Sequence, residues 1–175
     1  ARLNLTAPLD LGVIRLALKH LQTAAGDVAV NLSAETISDW GFRNELRALI
    51  KDHPGQSKRL WIEVAEYGVF RQFDAFRELC KMLKALGCKV GIEYFGQRFA
   101  EGQKLADLGL DYIKVHPTYV RGIAQNAGNQ EFLKGLCKVA HAIGIVVIAL
   151  GVESDGDLPL LASLGFDGMT GPGVK

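Results

Sequence analysis

The stretch LWIEVAEYGVFRQFDAFRELCKMLKALGCKVGIE, residues 60–93, decides the fold. Its first six residues, Leu60–Ala65, and its last five, Lys89–Glu93, are short runs rich in Val, Ile and Leu, as strands buried on both faces require. Between them Phe76, Leu79, Cys80, Leu83 and Leu86 recur with helical period over residues 72–86. Gly87 follows at the point where a helix end needs a left-handed residue. The unit is strand, helix, strand. Working outward, the same alternation predicts strands at Val28–Leu32, Tyr112–Val115, Ile145–Leu150 and Gly168–Thr170. It also predicts a helix over Asp10–Gln22, opening on Asp10 as N-cap after Pro8, with Leu11, Ile14, Leu18 and Leu21 on one face. Gly109, Gly144 and Gly165 punctuate the later helices. Six strands in βα alternation admit an open doubly wound sheet or a (β/α) barrel, and periodicity does not choose between them. No GxGxxG or Walker motif follows a strand, which disfavours dinucleotide and P-loop folds. Asn31, Glu63, Glu93, Lys114 and Glu153 all fall at or just past strand C-terminal ends, where barrel enzymes assemble their sites.

The 175 residues are 49% apolar and 22% charged, enough for one substantial core and too apolar for disorder. A formal charge of +1 gives no bulk electrostatic reason for a nucleic-acid polymer or an anionic membrane as partner, so an anion site must be local. Cys80, Cys88 and Cys137 are an odd count without metal-type pairing, as reduced core thiols of a cytosolic protein would be. No run reaches the ~18 apolar residues needed to span a bilayer. The start ARLNLTAPLDLG lacks the regions of a signal peptide, and direct membrane contact by this segment is not expected.

Six motifs in order carry a resemblance: VAVNLS (28–33), LWIEVAE (60–66), VGIEYFG (90–96), DYIKVH (111–116), ALGVE (149–153) and GFDGMTG (165–171). They are similar to the NLS, LxLExTE, ALDDFG, DxLKID, AEGVE and GxDxxQG stretches of the EAL domain family of cyclic-di-GMP phosphodiesterases. The resemblance implies an α/β fold, a TIM-like (β/α) barrel of the EAL type. It would be incomplete here: the first strand with the Glu-Ala-Leu tripeptide belongs upstream of Ala1, and the last strand and helix are cut. Residues 1–175 would then be a single degenerate EAL domain truncated at both ends, exposing two strand edges.

In active members the resemblance implies two divalent metals held at the strand ends, activating water against the phosphodiester. Asn31 and Glu63 match two of their ligands, and Glu66 matches a glutamate that steadies the neighbouring loop. The departures fall at the chemistry. Glu93 keeps one acid of the DDFG pair on a longer arm, while Tyr94 replaces the second, a poor ligand for a hard cation. Leu150 stands where a glutamate supports general-base chemistry and can neither accept a proton nor orient water. His116 replaces an aspartate, Thr170 a glutamine, and YFGQRFAE (94–101) rewrites the loop after the pair. These expectations leave no catalytic residue, no metal and no cofactor. They leave a cyclic-di-GMP site made of Asn31, Ser33, Glu63, Glu66, Glu93, Lys114 and Glu153.

Each of these residues has a plainer reading. Asn31 can cap the turn before Leu-Ser. Glu93 and Lys114 can form an ion pair across neighbouring strands, and His116 beside Pro117 is more often a hydrogen-bonded structural residue than a ligand. Glu153 can be a helix-start acid, or can accept from the N1 and N2 donors of guanine. Arg98 can reach a phosphate and Phe99 stack on a base, or both can be surface loop residues. The pattern resembles receptors of the LapD type: a cytoplasmic, homodimeric domain fused to a GGDEF-like domain in an inner-membrane parent. A nucleotide-independent interaction scaffold is one alternative. A residual phosphodiesterase using Glu93 and His116 as substitute ligands is the other.

Overall fold

The computed structural model describes residues 5–174; the first four residues of the stretch read against a signal peptide, and Lys175, lie outside them. The chain forms two compact units, one of residues up to Gly91 together with 107–109, the other of residues 92–106 and from Leu110 onward.

In the first unit the order is α1 (Thr6–Leu21), β1 (Val28–Leu32), α2 (Trp40–Lys51), α3 (Pro54–Ser57), β2 (Leu60–Ala65), α4 (Glu66–Arg71), α5 (Phe73–Ala85) and the opening residues of β3 (Lys89–Phe95). β1 lies parallel to β2 with Val28 opposite Leu60 and Asn31 opposite Glu63. The expected α1 stripe is present: Leu11, Ile14, Leu18 and Leu21 are all buried. The helix nonetheless begins four residues earlier than expected, at Thr6, and Asp10 is not its N-cap. Pro8 causes no break because first-turn N–H groups have no intrahelical acceptor to lose. Asp10 instead points inward with the stripe and is 8% exposed. A second apolar row, Leu5, Leu9, Val13 and Leu16, faces outward.

The second unit contains the rest of β3, a 3-10 segment (Phe99–Asp107, its last residue in the first unit), β4 (Tyr112–Val115), α6 (Pro117–Val120), α7 (Ala127–Ala142), β5 (Val146–Leu150), α8 (Leu158–Leu164) and β6 (Gly168–Thr170). β4 pairs with β5, and β5 with β6, both parallel. Hydrogen-bonded neighbours follow chain order, β1-β2-β3 in the first unit and β3-β4-β5-β6 in the second. A doubly wound sheet needs a point where strand order reverses. None occurs among the described strands, so the fold is α/β with the strand succession of a TIM-like (β/α) barrel of the EAL type, incomplete here.

In β2 the face of Leu60, Ile62 and Val64 is fully buried, while on the other face Glu63 is buried between half-buried Trp61 and Ala65, so the expected burial on both faces holds only in part. In β1 the exposed Ala29 and Asn31 alternate with buried Val30 and Leu32, so one face of the strand is covered and the other open; Thr170 in β6 is exposed as well. Gly87, Gly109, Gly144 and Gly165 all take positive φ, as their helix-ending role requires. All three cysteines are free and buried.

Candidate functional site

In the first unit, parallel register brings Asn31 beside Glu63 at the C-terminal end of β1 and β2. Glu63 is 2% and Glu66 4% exposed, each with polar or electrostatic partners. Burying an ionised carboxylate is costly unless such partners compensate it, so two buried acids at one strand end are a feature the core alone would not select. Glu66 opens α4, where the helix N-terminus favours a negative charge. The Asn31 side chain is exposed and caps no turn among the described residues.

The turn that follows Asn31 is held from α1. Asp10 Oδ2 accepts from Ser33 N–H at 2.9 Å and from the Thr36 hydroxyl at 2.8 Å, while Oδ1 accepts from the Ser33 hydroxyl at 3.1 Å. On the opposite side Gln72 Nε2 donates to Ala34 O at 2.6 Å. Ser33 thus spends its hydroxyl proton on Asp10 and keeps only lone pairs for a ligand. Sequence reasoning missed Asp10 as a site-building residue by reading it as a cap. The signal was its place four residues before Ile14 and eight before Leu18, on the apolar stripe.

In the second unit, Glu93 and Lys114 are half-buried and each has a partner in the fold; Lys114 lies in register with Ile148. Tyr94 has φ +56°, the one left-handed non-glycine among the described residues, a conformation that costs a side chain roughly 1–2 kcal/mol. Its ring is 44% exposed, 5.5 Å from the His116 ring between centroids. His116 caps α6: its Nδ1 accepts from Thr118 N–H at 3.1 Å and lies 2.7 Å from the Thr118 hydroxyl. That is the structural role weighed against ligation. Leu150 is 9% exposed and sits opposite Thr170 in the β5–β6 register. Glu153 borders a cavity of about 260 Å³ with Ser154, Asp155, Pro172 and Gly173. Its Oε1 is 3.0 Å from Arg121 Nε, in an exposed ion pair that joins residues far apart in sequence.

The rewritten loop is occupied with itself. Arg98 and Lys104 bind Glu101 at 2.9 and 2.7 Å. The hydrogen bond from Lys104, then that from Arg98, holds the Glu101 carboxyl below its ordinary range. Phe99 packs edge-on against Phe132 at 5.3 Å, and Tyr119 lies 4.9 Å from Phe132. Phe99 is therefore a cluster residue and not a freely presented stacking surface.

A profile of the EAL domain family matches residues 1–174. The chain belongs to the EAL domain family. Among curated relatives, cyclic di-GMP phosphodiesterase PdeF of Escherichia coli (strain K12) is 25% identical over 173 residues, 96% of this chain and 23% of that protein. Among solved structures, the FimX EAL domain from Pseudomonas aeruginosa bound to c-di-GMP superposes with a TM-score of 0.90 at 25% identity, covering 98% of this chain and 70% of that one. The Vibrio cholerae LapD S helix-GGDEF-EAL structure (apo) gives 0.90 at 20% identity over 98% of this chain and 42% of that one, which speaks for the fold alone. The EAL segment described here spans under a third of the curated relatives' length. Among the described residues no three His, Cys, Asp or Glu side chains gather as ion ligands. Tyr94 and Leu150, where the motif resemblance implies acids, carry a phenol and an alkyl side chain.

Proposed function

We propose that this EAL segment is a degenerate domain that binds cyclic-di-GMP as a receptor and has no phosphodiesterase activity. The observation that carries the reading is Tyr94, an exposed phenol tilted against the His116 ring on left-handed backbone at the position where the family places a metal-bridging aspartate. Leu150 supports it, being a largely buried alkyl group where catalysis needs a carboxylate. Loss of a general base alone costs roughly 10²–10⁴ in rate, and loss of a metal adds several kcal/mol to the barrier. The nucleotide contacts that the motif resemblance implies are meanwhile retained, Asn31, Ser33, Glu63 and Glu66 in the first unit and Glu93, Lys114 and Glu153 in the second. Glu153 is the guanine acceptor of this reading. Its exposed pair with Arg121 is worth about 0–1 kcal/mol, so a ligand can take the carboxylate over at little cost. Lys114 supplies the point charge for a phosphate. Occupancy is relayed to a partner or a second copy, in a LapD-like parent carrying a GGDEF-like domain on the cytoplasmic side of the inner membrane.

Isothermal titration of cyclic-di-GMP into the full-length protein tests binding, and chromatography for linear pGpG with Mg²⁺ or Mn²⁺ tests hydrolysis. Saturable heat and no pGpG are expected. Absence of heat at high micromolar nucleotide would sink the receptor reading in favour of a scaffold. Turnover abolished by Glu63→Ala would sink the claim of lost catalysis.

A further inference from the structure

Away from the strand ends, the first unit carries a trough between α2 and α5. Because Phe42, Leu46 and Ile50 of α2 are buried, the helical step sets Arg43, Arg47 and Lys51 in a row along one flank. Successive members of that row are about 6 Å apart along the axis. α5 offers Glu78, Met82 and Ala85 opposite. One cavity of about 300 Å³ is lined by Trp40, Arg43, Asn44, Arg47, Glu78 and Met82. A second, of about 310 Å³, is lined by Arg47, Lys51, Met82, Ala85 and Leu86. The two share Arg47 and Met82 and so adjoin; Met82, Ala85 and Leu86 floor the second, and Arg43, Arg47 and Lys51 form a basic wall along the pair.

Within the described fold the charge of that wall is engaged only electrostatically: the Lys81 hydrogen bond, helped by the charge of Arg43, holds the Glu78 carboxyl below its ordinary range. Arg43, Arg47 and Lys51 form no salt bridge among the described residues, and Arg43 Nε is buried without a hydrogen-bond partner. Glu78, the trough's own carboxylate, already binds Lys81 at 2.9 Å. Trp40 stands 73% exposed at one end, an amphipathic ring of the kind that anchors interfaces.

We infer that this trough docks an acidic amphipathic helix of a protein partner. Carboxylates four residues apart on such a helix match the row of Arg43, Arg47 and Lys51, and its apolar side chains rest on Met82, Ala85 and Leu86. A bilayer surface is planar and fits a concave trough poorly. A nucleic-acid backbone has phosphates for the basic wall but nothing for the apolar floor, and the chain's net charge of +1 adds no attraction of its own.

The test uses full-length protein and a labelled helical peptide of about 18 residues with Glu at every fourth position and Leu on the adjoining face. Fluorescence anisotropy is compared for this peptide, its Glu→Gln counterpart, a single-stranded oligothymidylate and phosphatidylglycerol vesicles. Saturable binding of the acidic peptide is expected, at least about tenfold weaker for the Gln peptide and for the double variant Arg47→Glu, Lys51→Glu. A Lys-for-Glu peptide should bind that variant and not the parent, a reversal that general destabilisation cannot produce. No saturation below about 1 mM, equal affinity for the Gln peptide, or tighter binding of oligonucleotide or vesicles overturns the inference.

Discussion

Replacing Asp10 by alanine removes three hydrogen bonds that converge on one carboxylate: Ser33 N–H, the Ser33 hydroxyl and the Thr36 hydroxyl, at 2.8–3.1 Å. Hydrogen bonds to a charged group contribute roughly 1.5–3 kcal/mol each, and a buried donor left without an acceptor costs about 1–3 kcal/mol. The three share one acceptor group and are not additive, so the net loss is about 2–4 kcal/mol. Against a typical stability of ~5–15 kcal/mol that is a large fraction, readable as a lower denaturation midpoint at unchanged slope. Asp10→Asn keeps one carbonyl oxygen as acceptor and should fall between. Because the tethered turn begins two residues after Asn31, the proposed receptor role adds a second expectation: at a temperature where both proteins are folded, Asp10→Asn binds cyclic-di-GMP more weakly than the parent. A loss of stability below about 0.5 kcal/mol for Asp10→Ala would refute the structural reasoning, because surface substitutions fall in that range.

Arg59 donates to Gly26 O at 2.7 Å, to Leu21 O at 3.0 Å and to Ala24 O, clasping the turn between α1 and β1; Arg59→Ala should cost about 2–3 kcal/mol by denaturant melt, and Lys should not rescue it, since a point donor cannot span three carbonyls. At Asp167, burial raises the carboxyl pKa, but hydrogen bonds from Val147 N–H and His141 Nε2, each 2.8 Å, outweigh it and hold the group below its ordinary 3.8. Its stabilising contribution is thus present above that value and lost as pH falls through the lower folded pKa, so the melting gap between parent and Asp167→Asn should close in acid; a pH-independent gap contradicts this. Burial pushes the Cys88 thiol up to about 12 and that of Cys137 up to about 11, so a disulfide reagent near pH 8 should label neither until the protein unfolds, and rapid labelling of native protein would refute their burial.

Much of the scaffold was legible because its signals are local. The runs at 28–32, 60–65, 112–115 and 168–170 are strands as expected, since a strand between helices must be apolar whatever it pairs with. β3 runs two residues past its expected end, through Tyr94 and Phe95, because ladder pairing continues beyond the apolar run. The site was legible only in part. Asn31 and Glu63 at neighbouring strand ends followed from strand positions, whereas the employment of Ser33 by Asp10 and of Glu153 by Arg121 did not. Those partners lie 23 and 32 positions away in the chain, beyond any helical or strand period.

By itself the sequence determined the βα succession, the helix-ending glycines, the apolar stripes and the residue types at the strand ends, because each depends on backbone geometry over a few residues. Only the tertiary structure decided that strand order follows chain order, that Asp10 is a buried tether and not a cap, that His116 caps α6, and that Arg43, Arg47 and Lys51 line a trough with α5. The physical reason is that a polar side chain's role is set by whichever donors and acceptors folding brings within about 3 Å, and periodicity carries no record of those distant partners.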